Sequence, residues 1–394
     1  MPLRVALQNM SATPAELVRL IHQSPTPVVL AITGGGSGAI AELLREPGAS
    51  RTVLEAIVPY AAAALTEWLG STPEHFCAPP TASAMAMVAY LRARRLLQPE
   101  GQARQLSAAG IGCTASLASD RPKRGPHRAH VAWQTVTVSG VLSLDLHKGK
   151  RSRAEEESVV AGLVLNAVAE ACGLVERADL ALLPGEAVQT AIAKAPLVWQ
   201  ELLSGSRRAV RQGAAGDGES ASQPRAIFPG AFNPLHIGHR RMAEMGSRLL
   251  SRPVEFEISI ENVDKPPLDF LQMQQRADQF SSGDRLWFTR AATFVEKAAI
   301  FPHATFLVGV DTLIRIADPK YYCSEINCNA ALEQIASHGC RFLVFGRATA
   351  TGFQTLSDLQ LPPALFAICC EVPAAEFRED ISSTELRKQR EHGD

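Results

Sequence analysis

The run Phe228-Pro-Gly-Ala-Phe-Asn-Pro-Leu-His-Ile-Gly-His239 narrows the fold of this chain more than any other stretch. A short apolar segment, Arg225-Ala-Ile-Phe228, leads into it and reads as a strand. A helical pattern carrying Met242 and Met245 follows from about Gly238. Gly230 and Ala231 permit close approach of backbone to a ligand, Pro234 fixes the turn, and Asn233 supplies a side-chain amide. A strand, a glycine turn and a helix in this order bring backbone N–H groups and the positive end of a helix to one point, which suits an anion. His236 and His239 stand at i and i+3, so both can face one phosphate group, and Gly238 between them leaves room.

The pattern continues downstream. Val254–Ile260 alternates as a strand, Asp269–Phe280 reads as a helix, and Thr305–Val310 and Arg341–Phe345 read as buried strands. Alternating strands and helices predict an α/β, Rossmann-like parallel sheet with helices on both faces, which binds ligands at the carboxyl ends of its strands. Near the C-terminus, Ile381-Ser-Ser-Thr-Glu-Leu-Arg387 supplies hydroxyls and a cation. Ser382, Ser383 and Thr384 can cap a helix and donate to phosphate oxygens, and Arg387, one turn on, can reach the same anion. By itself the segment is also an ordinary capping box, Ser382-x-x-Glu385.

The first half repeats the theme more weakly. Helices are expected at Pro14–Gln23, Ala39–Leu44, Thr81–Leu97 and Arg153–Cys172, and strands at Pro27–Thr33 and His130–Thr137. Gly34–Gly38, between a strand and a helix, reads equally as an anion cradle or a plain tight turn. Lys123, Arg124, His127 and Arg128 form a basic patch, read as a solvated loop. A Gly-, Ser- and Ala-rich stretch breaks the composition at Leu203–Pro224. It divides the 394 residues into a first domain, 1–202, a flexible linker, 203–224, and a second domain, 225–394.

Composition excludes several classes. The chain is 46% hydrophobic, with 39 basic against 40 acidic residues and 6% aromatics. That balance argues against a polyanion binder and against base-stacking platforms, so no nucleic-acid partner is expected. No window approaches the roughly 20 apolar residues of a membrane span. Eight scattered cysteines and no secretory pattern at Met1–Met10 point to reduced thiols in the cytoplasm, with an organellar transit signal as the open alternative. Cys323, Cys328, His338 and Cys340 fit no common zinc spacing, and no metal site is assigned.

Together the two motifs resemble the signature segments of nucleotidylyltransferases, over about Arg225–Glu391. The first is similar to that family's His-x-Gly-His element. The preceding Gly-x-Phe-Asn-Pro is similar to nicotinamide or nicotinate mononucleotide adenylyltransferases. The resemblance implies transfer of a nucleotidyl group, AMP from ATP, to a phosphorylated acceptor such as either mononucleotide, with release of pyrophosphate, in NAD biosynthesis. A cytidylyltransferase using CTP, or another acceptor, is the alternative. It implies catalytic roles for His236, His239 and Arg387. It implies nucleotide binding by Gly230, Ala231, Phe232, Asn233, Gly238, Ser382, Ser383 and Thr384. Lys265 resembles a lysine of the loop after the second strand, Gly309-Val-Asp311 the segment near ribose and base, and Arg347 a phosphate contact. Mg2+ is expected with the triphosphate, since no carboxylate cage is evident.

Pro14–Leu174 resembles the nicotinamide-nucleotide amidase domain of the CinA family. The matching features are the strand–turn–helix at Ala31–Leu44, Pro47-Gly-Ala-Ser50, Tyr60, Leu69-Gly70, Ala84-Met-Ala-Met87 and Arg153-x-Glu155-Glu156. That family uses a serine just before a Thr-Gly-Gly turn and a lysine shortly after a tyrosine. Thr33 stands at the serine position and Leu65 at the lysine position, and the family's later glycine turn departs here as Gly110–Ser119. A hydroxyl nucleophile needs a base. The resemblance therefore implies a degenerate, catalytically silent amidase fold that serves as a ligand-binding module or homo-oligomer interface. A chain of two retired enzyme domains, acting as a nucleotide-sensing scaffold, is the non-enzymatic alternative.

Overall fold

The computed structural model describes residues 10–121, 124–213, 224–263, 265–322, 324–349 and 352–378. It divides into two compact units, Met1–Gln200 with Asp264–Gln272, and Glu201–Val263 with Met273–Asp394. Among the described residues no helix is long and apolar enough to cross a membrane.

The first unit runs β1 (Met10–Ala12), α1 (Pro14–Gln23), β2 (Val28–Thr33), α2 (Gly38–Arg45), α3 (Ala49–Thr52), β3 (Val53–Ile57), α4 (Ala62–Leu69), α5 (Pro79–Leu96) and α6 (Gln102–Leu106). It continues with β4 (Ala109–Ser116), β5 (His127–Gln134), β6 (Val138–Leu146), α7 (Arg153–Ala171), β7 (Glu176–Ala178), β8 (Gln189–Lys194) and α8 (Leu197–Ser204). Six of its strands form one sheet in the order β3-β2-β4-β5-β6-β8, and β1 pairs with β7 in a separate two-stranded sheet. β3, β2 and β4 are parallel, whereas β5, β6 and β8 continue antiparallel. β2 is buried throughout, as its unbroken apolar run requires of a central parallel strand. α5 packs on one face and α7, with α1 and α2, on the other. Thr13 with Glu16 and Ser152 with Glu155 make reciprocal capping boxes that start α1 and α7.

Where the CinA resemblance loses its later glycine turn, at Gly110–Ser119, residues 109–116 are the central strand β4. The glycines serve packing. A Cβ at Gly110 would come within 2.1 Å of the Tyr90 amide nitrogen, and one at Gly112 within 2.3 Å of the Ala82 carbonyl oxygen. Their bare backbone lets α5 lie directly on the sheet.

The second unit runs β9 (Ala209–Arg211), β10 (Ala226–Pro229), α9 (Ile237–Leu250), β11 (Val254–Ser259), α10 (Phe270–Ala277), β12 (Leu286–Thr289), α11 (Phe294–Ile300), β13 (Thr305–Gly309) and α12 (Val310–Ile316). It ends with α13 (Glu325–Ser337), β14 (Arg341–Phe345), β15 (Arg347–Thr349), β16 (Gly352–Gln354), α14 (Pro363–Phe366) and β17 (Cys369–Val372). Seven strands lie in the order β17-β14-β13-β10-β11-β12-β9. All neighbours are parallel except β9, which pairs antiparallel with β12. The Rossmann-like sheet is thus present as expected.

The expected linker differs. Residues 209–211 form the edge strand β9, so part of 203–224 is built into the sheet, and 214–223 lie outside the described residues. Residues 265–272, read as part of the second domain with a helix from Asp269, belong to the first unit, so the opening residues of α10, Phe270–Gln272, fall there. There the Phe270 amide donates to the Ser139 hydroxyl at 2.9 Å, and Phe270 stacks on Trp199.

Gly112→Val is expected to lower stability by about 3 kcal/mol, because the strand and α5 must separate to admit the side chain. Gly125→Ala, at a glycine with nothing within 4 Å of a built Cβ, should be neutral in the same denaturant titration.

Candidate active site

Strand order in the second unit reverses at β10. The chain goes from β10 to β11 and β12 on one side, then returns to β13 and β14 on the other. The crevice at the carboxyl ends of β10 and β13 is where sheets of this topology bind ligands. The 230–235 loop and α9 rise from β10, Gly309 ends β13, and Arg347 follows two residues after β14.

The loop is anchored from within. Phe232 has φ +43° and is 1% exposed. Its ring meets Phe228 at 5.3 Å, Phe256 at 5.4 Å, Phe280 at 5.6 Å and the His239 imidazole at 5.0 Å between centroids. A Cβ on Gly230 would come within 2.6 Å of that ring. Gly230 therefore makes room for the Phe232 ring, and the Phe232 side chain is a core anchor of the loop. Asn233 and Ala231 remain exposed at the loop's outer edge.

The chain then enters α9 with His236 in the extended N-cap position and His239 at the third helical position. The two imidazoles stack, with centroids 3.7 Å apart and planes 28° from parallel. The His236 amide donates to His239 Nδ1 at 3.3 Å, so neutral His239 carries its proton on Nε2. Burial, then the neighbouring His236, lowers the His239 pKa to about 3. Gly238 leaves room here, because a Cβ would stand a tight 3.1 Å from His236 Nδ1. Across the crevice Asp311, in the first turn of α12, forms an ion pair with Arg347, each side chain 47% exposed. Gly309 faces open space, with nothing within 4 Å of a built Cβ.

The fold thus brings Gly230, His236, Gly238, His239, Gly309, Asp311 and Arg347 to one edge of one sheet. Lys265 belongs to the first unit. Ser382, Ser383, Thr384 and Arg387 lie outside the described residues.

Beside this edge lies a buried ion pair that the sequence reading missed. Lys297 of α11 donates to both Glu257 carboxylate oxygens at 2.8 Å and to the Ala291 carbonyl at 2.9 Å. The Thr289 hydroxyl adds a third donor to Glu257, and the Glu257 carbonyl accepts the Gly230 amide at 2.9 Å. Val254–Ile260 alternates in sequence, yet Val254–Ile258 of β11 are all buried.

In the first unit the glycine turn is already occupied. The Gly38 amide and the Ser37 hydroxyl donate to Glu157 Oε1 of α7 at 3.2 and 3.1 Å. Arg153 binds the Gly34 and Ala118 carbonyls. Thr33 is 8% exposed, and Leu65 is 2% exposed in an apolar cluster with Ala31, Leu69 and Met85. His127, read as part of a solvated basic loop, is buried against Glu156 at 2.7 Å. Lys123 lies outside the described residues, as does Cys323. Cys328 and Cys340 donate to backbone carbonyls, and among the described residues no group of three or more His, Cys, Asp or Glu is placed to hold a metal.

Residues 227–389 match the cytidylyltransferase-like family, so the C-terminal region carries a domain of the nucleotidylyltransferase superfamily. The N-terminal region matches solved structures of the CinA family. One is the competence/damage inducible protein CihA from Agrobacterium tumefaciens, 20% identical over 43% of this chain and 99% of that one, with a TM-score of 0.33. A competence or damage-inducible protein from Enterobacter asburiae is 14% identical over 42% and 100%, TM-score 0.32. A CinA superfamily protein from Escherichia coli is 17% identical over 43% and 92%, TM-score 0.29. No curated protein matches this chain in sequence.

The depressed His239 pKa has a stability consequence. The folded state holds this proton less tightly than the unfolded chain, so its contribution is full above about pH 6.5 and falls away as pH drops towards 3. The His239→Gln variant should lose less stability than the parent between those limits in pH-dependent denaturation. Lys297→Met alone should cost about 3–5 kcal/mol by stranding the Glu257 carboxylate. Adding Glu257→Leu should recover much of that loss in thermal melts.

Proposed function

We propose that the C-terminal domain transfers an adenylyl group from ATP to nicotinamide or nicotinate mononucleotide, releasing pyrophosphate, as a step of NAD biosynthesis. The observation that carries this reading is the stacked His236–His239 pair at the mouth of α9, at the strand-order reversal. The acceptor phosphate oxygen attacks the α-phosphorus, and the α-phosphorus–bridging oxygen bond breaks, with its electron pair leaving on pyrophosphate. Such a transfer needs positioning and charge neutralisation, and no protein nucleophile. His239 Nε2–H and His236 donate to triphosphate oxygens in this reading, and a bound phosphate raises their affinity for protons. Arg347 exchanges Asp311 for phosphate. Ser382, Ser383, Thr384 and Arg387 supply the second set of donors, and Lys265 an acceptor or triphosphate contact. Mg2+ arrives as part of the metal–nucleotide substrate.

A second reading keeps the fold and changes the substrate. The family matched by residues 227–389 is described as cytidylyltransferase-like, which favours CTP and a different phosphorylated acceptor. We read the N-terminal domain as a silent amidase relative that acts as a ligand-binding module or homo-oligomer interface. Its support is the apolar burial of Leu65 and the carboxylate already seated on the glycine turn. The protein is read as cytoplasmic, with no nucleic-acid or membrane partner.

Pyrophosphate release by the full chain with Mg2+, testing ATP and CTP against each mononucleotide, is the deciding assay. Turnover with ATP and one mononucleotide is expected, falling at least about 100-fold in the His236→Ala, His239→Ala double variant. Turnover with CTP alone would favour the second reading. Nucleotide binding without turnover in any combination would leave a sensing scaffold.

A further inference from the structure

We infer that Gln279 is a positioning residue for the His236–His239 pair, clamping the loop that carries it at both ends. The inference rests on the transferase reading above for its catalytic consequence, but not for its geometry. Gln279 lies in the turn after α10, far from either motif in sequence. Its Nε2 donates to the Phe232 carbonyl at 3.0 Å, and its Oε1 accepts the Leu235 amide at 2.8 Å. One side-chain amide therefore satisfies a backbone acceptor and a backbone donor three residues apart, as a neighbouring strand would. Between those two bonds runs the Phe-Asn-Pro-Leu turn. The next peptide N–H beyond them, that of His236, is the one that donates to His239 Nδ1.

The clamp is itself braced. Arg240, one residue past His239 on α9, donates to the Gln279 carbonyl at 3.3 Å and to Asp284 at 2.5 Å. Its guanidinium lies over the rings of Phe256 and Phe280, 5.4 and 5.5 Å from their centroids. Asp284 also accepts the Ser281 amide and hydroxyl, which fixes the turn that bears Gln279. Loop, turn and helix thus close a ring: Leu235 to Gln279, Gln279 to Arg240, and Arg240 back along α9 to His239. The conserved quantity in this ring is direction. The Gln279 bond orients the peptides just before His236, and those peptides set which His239 nitrogen accepts and which is left to donate.

Two variants test this in the full chain. Gln279→Leu removes both bonds at similar volume, and Gln279→Glu keeps the acceptor for Leu235 while losing the donor to Phe232. In the free protein, imidazole 15N shifts should report His239 as a single Nε2–H tautomer. Gln279→Leu should shift it towards a mixture, with Gln279→Glu between the two. In the pyrophosphate assay Gln279→Leu should lower kcat about 10- to 100-fold, with a smaller change in KM for the triphosphate. An unchanged His239 tautomer in Gln279→Leu, together with kcat within about twofold of the parent, overturns the inference. If Gln279→Leu does not fold, Gln279→Glu decides by the same two readouts. If the parent protein turns over no substrate pair, the transferase reading fails and the 15N signature alone decides the clamp.

Discussion

The packing of the Phe232 ring is the contact from which the C-terminal site is built. Its positive φ turns the chain back on β10, and the ring fills the space that Gly230 leaves bare. A left-handed backbone at a bulky residue costs about 1–2 kcal/mol. Burying a phenylalanine returns about 2–3 kcal/mol, and each edge-on aromatic partner adds a further ~0.5–1 kcal/mol. Burial wins, and the strained turn persists because four rings surround it. The imidazole of His239 is one of those rings, so the same packing that shapes the loop also dries one face of that imidazole and favours its neutral form.

The two units treat the same local arrangement in opposite ways. Each has a parallel strand, a glycine-bearing turn and a helix whose first turn presents unsatisfied donors. In the first unit, Glu157 of α7 supplies a carboxylate to that helix start, and Glu156 satisfies the Ala118 amide and meets His127. The anion is internal to the fold. In the second unit the helix start is faced by two stacked imidazoles, and burial disfavours the charged form of His239. One turn is closed by a carboxylate, and the other by a pair of stacked rings.

Much of this was legible in sequence because it depends on local spacing. The apolar run at Pro27–Thr33, the helices at Pro14–Gln23 and Arg153–Cys172, and the strand–turn–helix around His236 all emerged close to where their patterns placed them. What escaped depends on what lies across the sheet. Gly110 and Gly112 show no packing role until α5 is laid against them. Glu255 and Glu257 look solvated until Arg225, Trp287, Thr289 and Lys297 are found beside them. β9 sits inside a stretch whose composition argues for a linker, and only its pairing with β12 makes it a strand. Phe232 reads as part of a binding motif because the motif is contiguous, although its side chain points into the core. Gln279 carries no pattern at all, because a lone amide matters only through the two backbone groups that it happens to reach.

The Glu257–Lys297 pair constrains how this chain can change over time. A buried carboxylate and ammonium that satisfy one another are each tolerable only in the other's company. A lineage that alters one position alone passes through a protein with a stranded charge beside its ligand edge, at a loss comparable to a large share of a domain's total stability. The two positions, 40 residues apart in the chain, therefore drift as a unit, or the route between their alternatives runs through variants already stabilised elsewhere.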